Sequence, residues 1–286
     1  MSHLLTTERV SDLIFDVGLH HGQDTDFYLT KGFRVVAFEA DPGNAEFCRV
    51  RFARELADGR LTIVEGAITE DSAGGEVKFY RNPDHSLWGS SSEDWAVRNE
   101  VRGTRNDEIR VAAVDFAEQV RKFGVPHYLK ADIVGSETIV LRALLSFEKK
   151  PAYLSIRSEK LVWRKLEYEF DLLNRLGYDR FKVVKQDFER IRGRVPGDSG
   201  RPSYEFEEGG SGPFGEESPG HWETRAEALR DYRTVFIKYW LFGDYSYLVQ
   251  TEMGRRLIAR TENIIKRSIP GWYDTHARHT SMTENE

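Results

Sequence analysis

Short apolar runs separated by polar, glycine-containing turns open the chain. Leu13 to Val17 is apolar except for Asp16 and stops at Gly18. A run this short, closed by glycine, predicts a buried strand. Thr25 to Lys31 predicts a short helix before Gly32, and the β-branched and aromatic run Arg34 to Phe38 a second strand. Asp41-Pro42 then reads as the start of a helix reaching Leu56, because an acidic cap followed by proline suits a first helical turn. Leu61 to Val64, Val77 to Tyr80 and Ile109 to Val114 continue the strand signals, while His85 to Ser92 reads as a loop.

The second half keeps the alternation. Tyr128 to Ile133 is a strand whose end carries Asp132, and Ser136 to Leu145 is a helix with Ile139, Val140, Ala143 and Leu144 at helical spacing. Ala152 to Ile156 is a strand, Val162 to Leu176 an amphipathic helix ended by Gly177, and Phe181 to Val184 another strand. Strands alternating with helices predict an α/β fold, with a mostly parallel sheet covered on both faces. From Gly193 to Gly220 glycine and proline recur beside acidic residues without any period, which marks a lid or a surface insertion. Glu223 to Asp231 resumes as helix, the run through Trp240 fits helix or strand, Arg255 to Lys266 looks helical, and Thr280 to Glu286 should fray. The expected organisation is a core over 1–192, an insertion or lid over 193–222, and a C-terminal helical extension over 223–286 packed on the core.

Composition narrows the function classes. The 286 residues, 40% hydrophobic and 12% aromatic, suffice for a substantial core. With 47 acidic and 41 basic residues, a formal charge of −6 gives no global pull toward nucleic acid or an anionic bilayer. Apolar runs are broken by charges before they could cross a hydrocarbon layer, and MSHLLTTERVSD lacks the apolar block of a signal peptide, so a cytoplasmic location is expected. Cys48, the single cysteine, excludes an internal disulfide and fits the apolar side of a helix.

Chemistry concentrates at the first strand-to-helix junction. FDVGLHHGQDT places Asp16, Gly18 and Gly22 where a ligand can approach the backbone, and the amides opening the next helix can receive an anionic group. The spacing is GxxxG, not the GxGxxG expected beneath a dinucleotide pyrophosphate. Glu39 closes the next strand, so in a doubly wound sheet its carboxylate reaches the same crevice and can accept from two ribose hydroxyls. Glu65 and Ala67 follow the third strand, where Ala67 and Ile68 could help wall an adenine pocket and Glu65 is an edge contact or a surface carboxylate.

DVGLHHGQDTDFYLTKGFRVVAFEADP resembles the opening of the FkbM family of methyltransferases through Asp16, Gly18, Gly22, Thr25, Gly32, Val35, Ala37, Phe38, Glu39 and Pro42, with alanine for the usual proline at position 40. LKADIVGSETIVLRAL resembles a second family segment through Asp132, Gly135 and Glu137. The resemblance implies a Rossmann-like class I methyltransferase sheet and S-adenosylmethionine as cofactor. It also implies that Asp16 and the Gly18 to Gly22 loop contact the methionine portion and Glu39 the ribose. Two carboxylates usual in the family are absent, at Val134 and Arg157, while Glu159 lies two residues beyond the latter.

Transfer to a hydroxyl needs alignment first and proton removal second. Asp132 is the leading carboxylate for cofactor or acceptor contact. His20 and His21 are candidate bases inside the loop, Glu137 could cap its helix or bind a polar acceptor, and Glu159 could restore a lost charge. Phe214, Glu216, Glu217, His221 and Trp222 could close over a sugar-like substrate or pack on the surface. Asp274 and His276 are read as sharing a loop and His276 and His279 as sharing a helical face, without making a metal site; no catalytic metal is expected. The reading is O-methylation of a small hydroxylated or carbohydrate-like acceptor, with no nucleic-acid or membrane partner. The alternatives are a catalytically altered cofactor-binding regulatory or structural protein and a nicotinamide-dependent oxidoreductase.

Overall fold

The computed structural model describes residues 4–70, 75–186, 203–207, 209–243, 246, 251–265 and 271–282. Five parallel strands form the body of the main sheet: β1 (Arg9–Val17), β2 (Arg34–Glu39), β3 (Leu61–Glu65), β7 (Val125–Ala131) and β8 (Tyr153–Arg157). They are completed by β9 (Tyr178–Gln186) and β10 (Trp272–His279), giving the order β3-β2-β1-β7-β8-β10-β9. β10 runs antiparallel to both neighbours, pairing Asp274 with Arg157 on one side and with Val184 on the other. The segment after 223, expected to be helical, therefore also contributes a strand to the sheet. Asp274, His276 and His279 lie on that strand, not on a loop or a helix. A smaller sheet, order β4-β6-β5, is built from β4 (Ala67–Ile68), β5 (Glu76–Arg81) and β6 (Asp107–Val114).

Helices cover both faces, as the alternation predicts. One face packs α5 (Phe116–Phe123), α6 (Glu137–Leu144), α7 (Trp163–Arg175) and α8 (Arg225–Phe242) through Val120, Leu141, Phe170 and Tyr232, all fully buried. α8 settles the run through Trp240 as helix; it opens on a capping box in which Thr224 and Glu227 satisfy each other's backbone. The opposite face packs α1 (Gln23–Thr30) and α2 (Pro42–Arg51), the latter capped by Asp41 accepting from the Gly43 amide at 2.7 Å. Cys48 is buried there on α2. A short α3 (Ala53–Ala57) follows, α4 (Glu93–Val101) fills the connection before β6, and α9 spans Glu252–Ile265.

Part of the predicted insertion, 193–202 and 208, lies outside the described residues, as do Lys266 and 283–286. The described remainder packs on the sheet face beside α1. Phe206 meets Phe27 at 4.7 Å between ring centroids, and Phe214 stacks on Tyr128 at 4.1 Å. Glu217 pairs with buried Lys31, and Glu216 accepts from Tyr153, Trp222 and Arg278. No helix among the described residues is long and apolar enough to cross a membrane.

Candidate active site

β1 lies between β2 and β7, so the chain leaving β1 crosses to one side while β7 stands on the other. Crevices in open α/β sheets form at this kind of switch point, beyond the carboxyl ends of the strands. Here a cleft of about 850 Å³ is lined by residues from those ends: Gly18 after β1, Glu39 on β2, Asp132 after β7 and Arg157 on β8. Gly18 adopts φ +97, and a Cβ on it would lie 2.3 Å from the Asp132 carbonyl oxygen. Only glycine lets these strand ends meet. At Gly22, φ +81, a Cβ would lie 2.3 Å from the Phe52 ring, which fixes how α1 begins.

Glu39 is held by two backbone amides. His20 N–H donates to Oε2 at 2.7 Å and Asp41 N–H to Oε1 at 2.8 Å. The first bond depends on His20 standing at φ 50, the one positive value among the described non-glycine residues. A side chain in that region is strained, and such strain gathers at functional sites. Burial pushes the Glu39 carboxyl up to about 7 in spite of the two amides. Phe38, Ala67, Ile68 and Phe79 give the cleft an apolar wall beside this carboxylate.

The opposite end is ionic. Arg157 Nη1 lies 3.3 Å from Asp132 Oδ1. Burial disfavours the Asp132 charge, but Arg157, Lys130 and Lys160 outweigh it and hold the carboxyl below its ordinary value. His20 also faces the cleft, with Nε2 2.8 Å from Ser86 Oγ; burial, with His21 alongside, pushes its ring down to about 4. His21 stacks on His20 at 3.9 Å and lies against Phe47, outside the cleft lining.

The remaining sequence candidates sit around this cleft in different capacities. Asp16 is fully buried behind it, accepting from Thr25 Oγ1 at 2.7 Å and paired with Lys130 Nζ at 3.3 Å. Lys130 also reaches Asp24 at 3.0 Å, so one buried amine serves two carboxylates. The sequence reading passed over Lys130, although a lone lysine inside the apolar run YLKADI signals a buried partner. Burial, reinforced by Asp24 and opposed by Lys130, pushes the Asp16 carboxyl up.

Within the loop itself the backbone amides are bonded inside the protein, while the helix that can offer amides to an anion opens at Gln23. Gly18 and Leu19 both donate to Phe38 O, and Gly22 donates to Leu19 O. Ala67 lines the cleft, whereas Glu65 is exposed and paired with Arg49. Glu137 accepts from the Gly135 amide at 3.0 Å beside the start of α6, and burial pushes it up to about 8. Glu159 accepts from the amides of Lys160, Leu161 and Val162, so it organises the approach to α7. Phe214, Glu216, Glu217, His221 and Trp222 are not among the cleft-lining residues. Among the described residues no group of three or more His, Cys, Asp or Glu side chains is placed to hold a metal ion.

Residues 16–192 match the family model described as methyltransferase FkbM domain. No curated protein matches the chain in sequence. Among solved structures, a precorrin-6y C5,15-methyltransferase from Geobacter metallireducens is 13% identical; the match covers 70% of this chain and 74% of that one, with a TM-score of 0.32. Phosphoethanolamine N-methyltransferase 2 of Haemonchus contortus, in complex with S-adenosyl-L-methionine, is 10% identical over 95% of this chain, with a TM-score of 0.38. The match spans 49% of that protein's length.

Proposed function

The chain belongs to the FkbM methyltransferase family and is an S-adenosylmethionine-dependent methyltransferase; from that premise we propose that it methylates an oxygen of a small hydroxylated or carbohydrate-like acceptor at the Asp132 end of the cleft. The observation that carries this reading is the division of the cleft. One end has a carboxylate fixed by two amides beside an apolar wall, and the other an ion pair with serine hydroxyls nearby.

The first end suits a nucleoside. Glu39 has both oxygens pre-oriented and further lone pairs to accept from a ribose diol, while Phe38, Ala67, Ile68 and Phe79 offer the flat apolar surface a purine needs. Asp16, Lys130, Asp24 and Thr25 hold the strand-to-helix junction behind the loop rigid. When bound, the cofactor supplies an activated methyl group on its sulfonium.

The protein's task is then alignment, exclusion of water and management of one proton. Arg157 keeps Asp132 ionised and bonded, which makes that carboxylate a weak proton acceptor and a good positioning group for acceptor hydroxyls. His20 is neutral at pH 7, so its Nε2 beside Ser86 Oγ can accept a hydrogen bond from the acceptor hydroxyl and orient it; with its ring pushed down to about 4 it is a weak base, and the proton leaves to water as the methyl group is transferred.

Incubation with S-adenosylmethionine and a panel of glycosides, cyclitols and phenols, followed by mass spectrometry, tests the reading. S-adenosylhomocysteine and an O-methyl product should form with hydroxylated acceptors. Tight binding of S-adenosylhomocysteine without turnover across the panel would instead favour a cofactor-binding protein that has lost transfer, as the Asp132–Arg157 pair allows. Preferential nicotinamide binding and hydride transfer would favour the oxidoreductase.

A further inference from the structure

The carboxyl edge of the sheet does not end at the cleft. β10 enters between β8 and β9, so Asp274 becomes the register partner of Arg157, which itself lines the cleft. Gln186, at the end of β9, donates from Nε2 to Asp274 Oδ2 at 2.7 Å. Asp274 is 4% exposed and Gln186 9%. Their other oxygens, Asp274 Oδ1 and Gln186 Oε1, are buried and accept no hydrogen bond from the described residues. Lys160, just beyond β8, sits in the fields of Asp274, Glu137 and Asp132, yet no described carboxylate oxygen is ion-paired with its ammonium.

An unmet buried acceptor costs about 1–3 kcal/mol, and folded proteins keep few of them. Two on directly bonded residues, with an ammonium nearby and an active-site cleft one strand away, mark a place built for a polar occupant. The chemistry of the unmet atoms selects that occupant. Gln186 Oε1 needs a donor, Asp274 Oδ1 needs a donor when ionised and an acceptor when protonated, and the ammonium needs an acceptor. A hydroxyl group both donates and accepts, so a molecule with adjacent hydroxyls meets all three demands, whereas an apolar acceptor meets none.

We infer that Asp274 and Gln186, with Lys160 beside them, form the acceptor subsite and take adjacent hydroxyls of a polyhydroxylated, sugar-like acceptor whose reacting end lies at Asp132 and Arg157. The assignment rests on the O-methyltransferase reading above and makes its acceptor class specific. The ion pair of Arg157 with Asp132 is the boundary shared by the cofactor cleft and the subsite. Water can fill the same positions between turnovers, as it does for many buried polar groups, and a polyol displaces it with equivalent hydrogen bonds.

The test uses the full chain loaded with S-adenosylhomocysteine. Saturation-transfer NMR titrations would use methyl glycosides and cyclitols as probes, with cyclohexanol as the apolar control. Wild-type protein should bind at least one polyol and not cyclohexanol. Asp274→Leu and Gln186→Met should each weaken that binding by at least about tenfold, the loss of one buried hydrogen bond. Their affinity for S-adenosylhomocysteine should stay within about twofold of wild type. Should Asp274→Leu lose cofactor binding through misfolding, Gln186→Met, which preserves volume, decides. Polyol affinity unchanged in the folded variants overturns the subsite and leaves the O-methyltransferase reading standing. Absence of polyol binding to wild type, with cofactor binding intact, overturns the acceptor class and the subsite with it.

Discussion

Replacing Glu39 by glutamine tests the nucleoside end of the cleft with almost no change in shape. The wild-type carboxylate accepts from the His20 and Asp41 amides at 2.7 and 2.8 Å, one on each oxygen. In Glu39→Gln one of those amides faces an NH₂ group, donor against donor, and the acceptor left for the ribose is neutral. A hydrogen bond to a charged group contributes roughly 1.5–3 kcal/mol, so the loss of one such bond predicts S-adenosylhomocysteine binding about 10- to 100-fold weaker. Isothermal titration calorimetry at pH 8 measures this, with a thermal melt confirming that the variant is folded.

The same experiment has a pH arm. The Glu39 carboxyl is pushed up to about 7 by burial, so its ionised form, the better acceptor, is scarce at pH 5.5 and dominant at pH 8. Wild-type affinity should therefore rise across that interval by up to about 2 kcal/mol, roughly 30-fold, while that of Glu39→Gln stays flat. The sign for stability is opposite. A carboxyl whose folded pKa is raised contributes most below its unfolded value, so the ligand-free protein should lose stability as the pH climbs from about 4.5 to 7. A glutamine variant that binds within about twofold of wild type at pH 8 would refute the role assigned to Glu39.

Four further outcomes follow from the geometry. Gly18→Ala must push a Cβ toward the Asp132 carbonyl at 2.3 Å with φ +97, and a loss of about 2 kcal/mol or more in denaturant melts, together with cofactor affinity, is expected. Lys130→Met strands Asp16 and Asp24 without their shared amine and should cost about 3–5 kcal/mol near neutrality. Because Asp16, already pushed up by burial, then titrates higher still, that penalty should shrink as the pH is lowered; a deficit constant from pH 5 to 8 by urea titration would contradict the pairing. Arg157→Gln should release Asp132 toward a higher pKa, visible as an alkaline shift of its titration in carboxyl-detected NMR. Cys48, with its thiol pushed up to about 12 by burial, should resist a thiol-labelling reagent in the native protein and react on unfolding.

The Glu39 end of the cleft was legible because its signals are local. Leu13 to Val17 and Arg34 to Phe38 carry the apolar density of buried strands, and the glycines between them report turns that only glycine can make, so Glu39 fell into place by spacing. The Asp132–Arg157 end was not legible, because its decisive relations are long-range. Arg157 stood out only as a departure from a familiar pattern, and nothing near it in the chain announces a bond to Asp132, 25 residues away. The strand Trp272–His279 escaped notice for a related reason. Its Tyr273, Thr275 and Ala277 face the helices, while Asp274, His276 and Arg278 face a polar layer, so the alternation lacks the apolar weight by which strands are recognised. The helices α4 and α5 received no assignment from the sequence, although α5 is as long as α1 and α6, which did.

The position of the last strand governs when this molecule can be finished. β8 and β9 never touch through backbone hydrogen bonds; residues 272–279 are the slat between them, and Thr275 on that slat also bonds Tyr232 and Ser158. During synthesis, β9, bridged at Phe181 to Glu223, must wait without a neighbouring strand while more than eighty further residues (between Gln186 and Trp272) are made. Loop closure over such a separation is slow relative to helix formation and leaves an exposed edge open to wrong partners. Assembly on the ribosome would thus halt one step short of the native sheet, with the polar residues of β10 arriving last to complete the wall beyond Arg157.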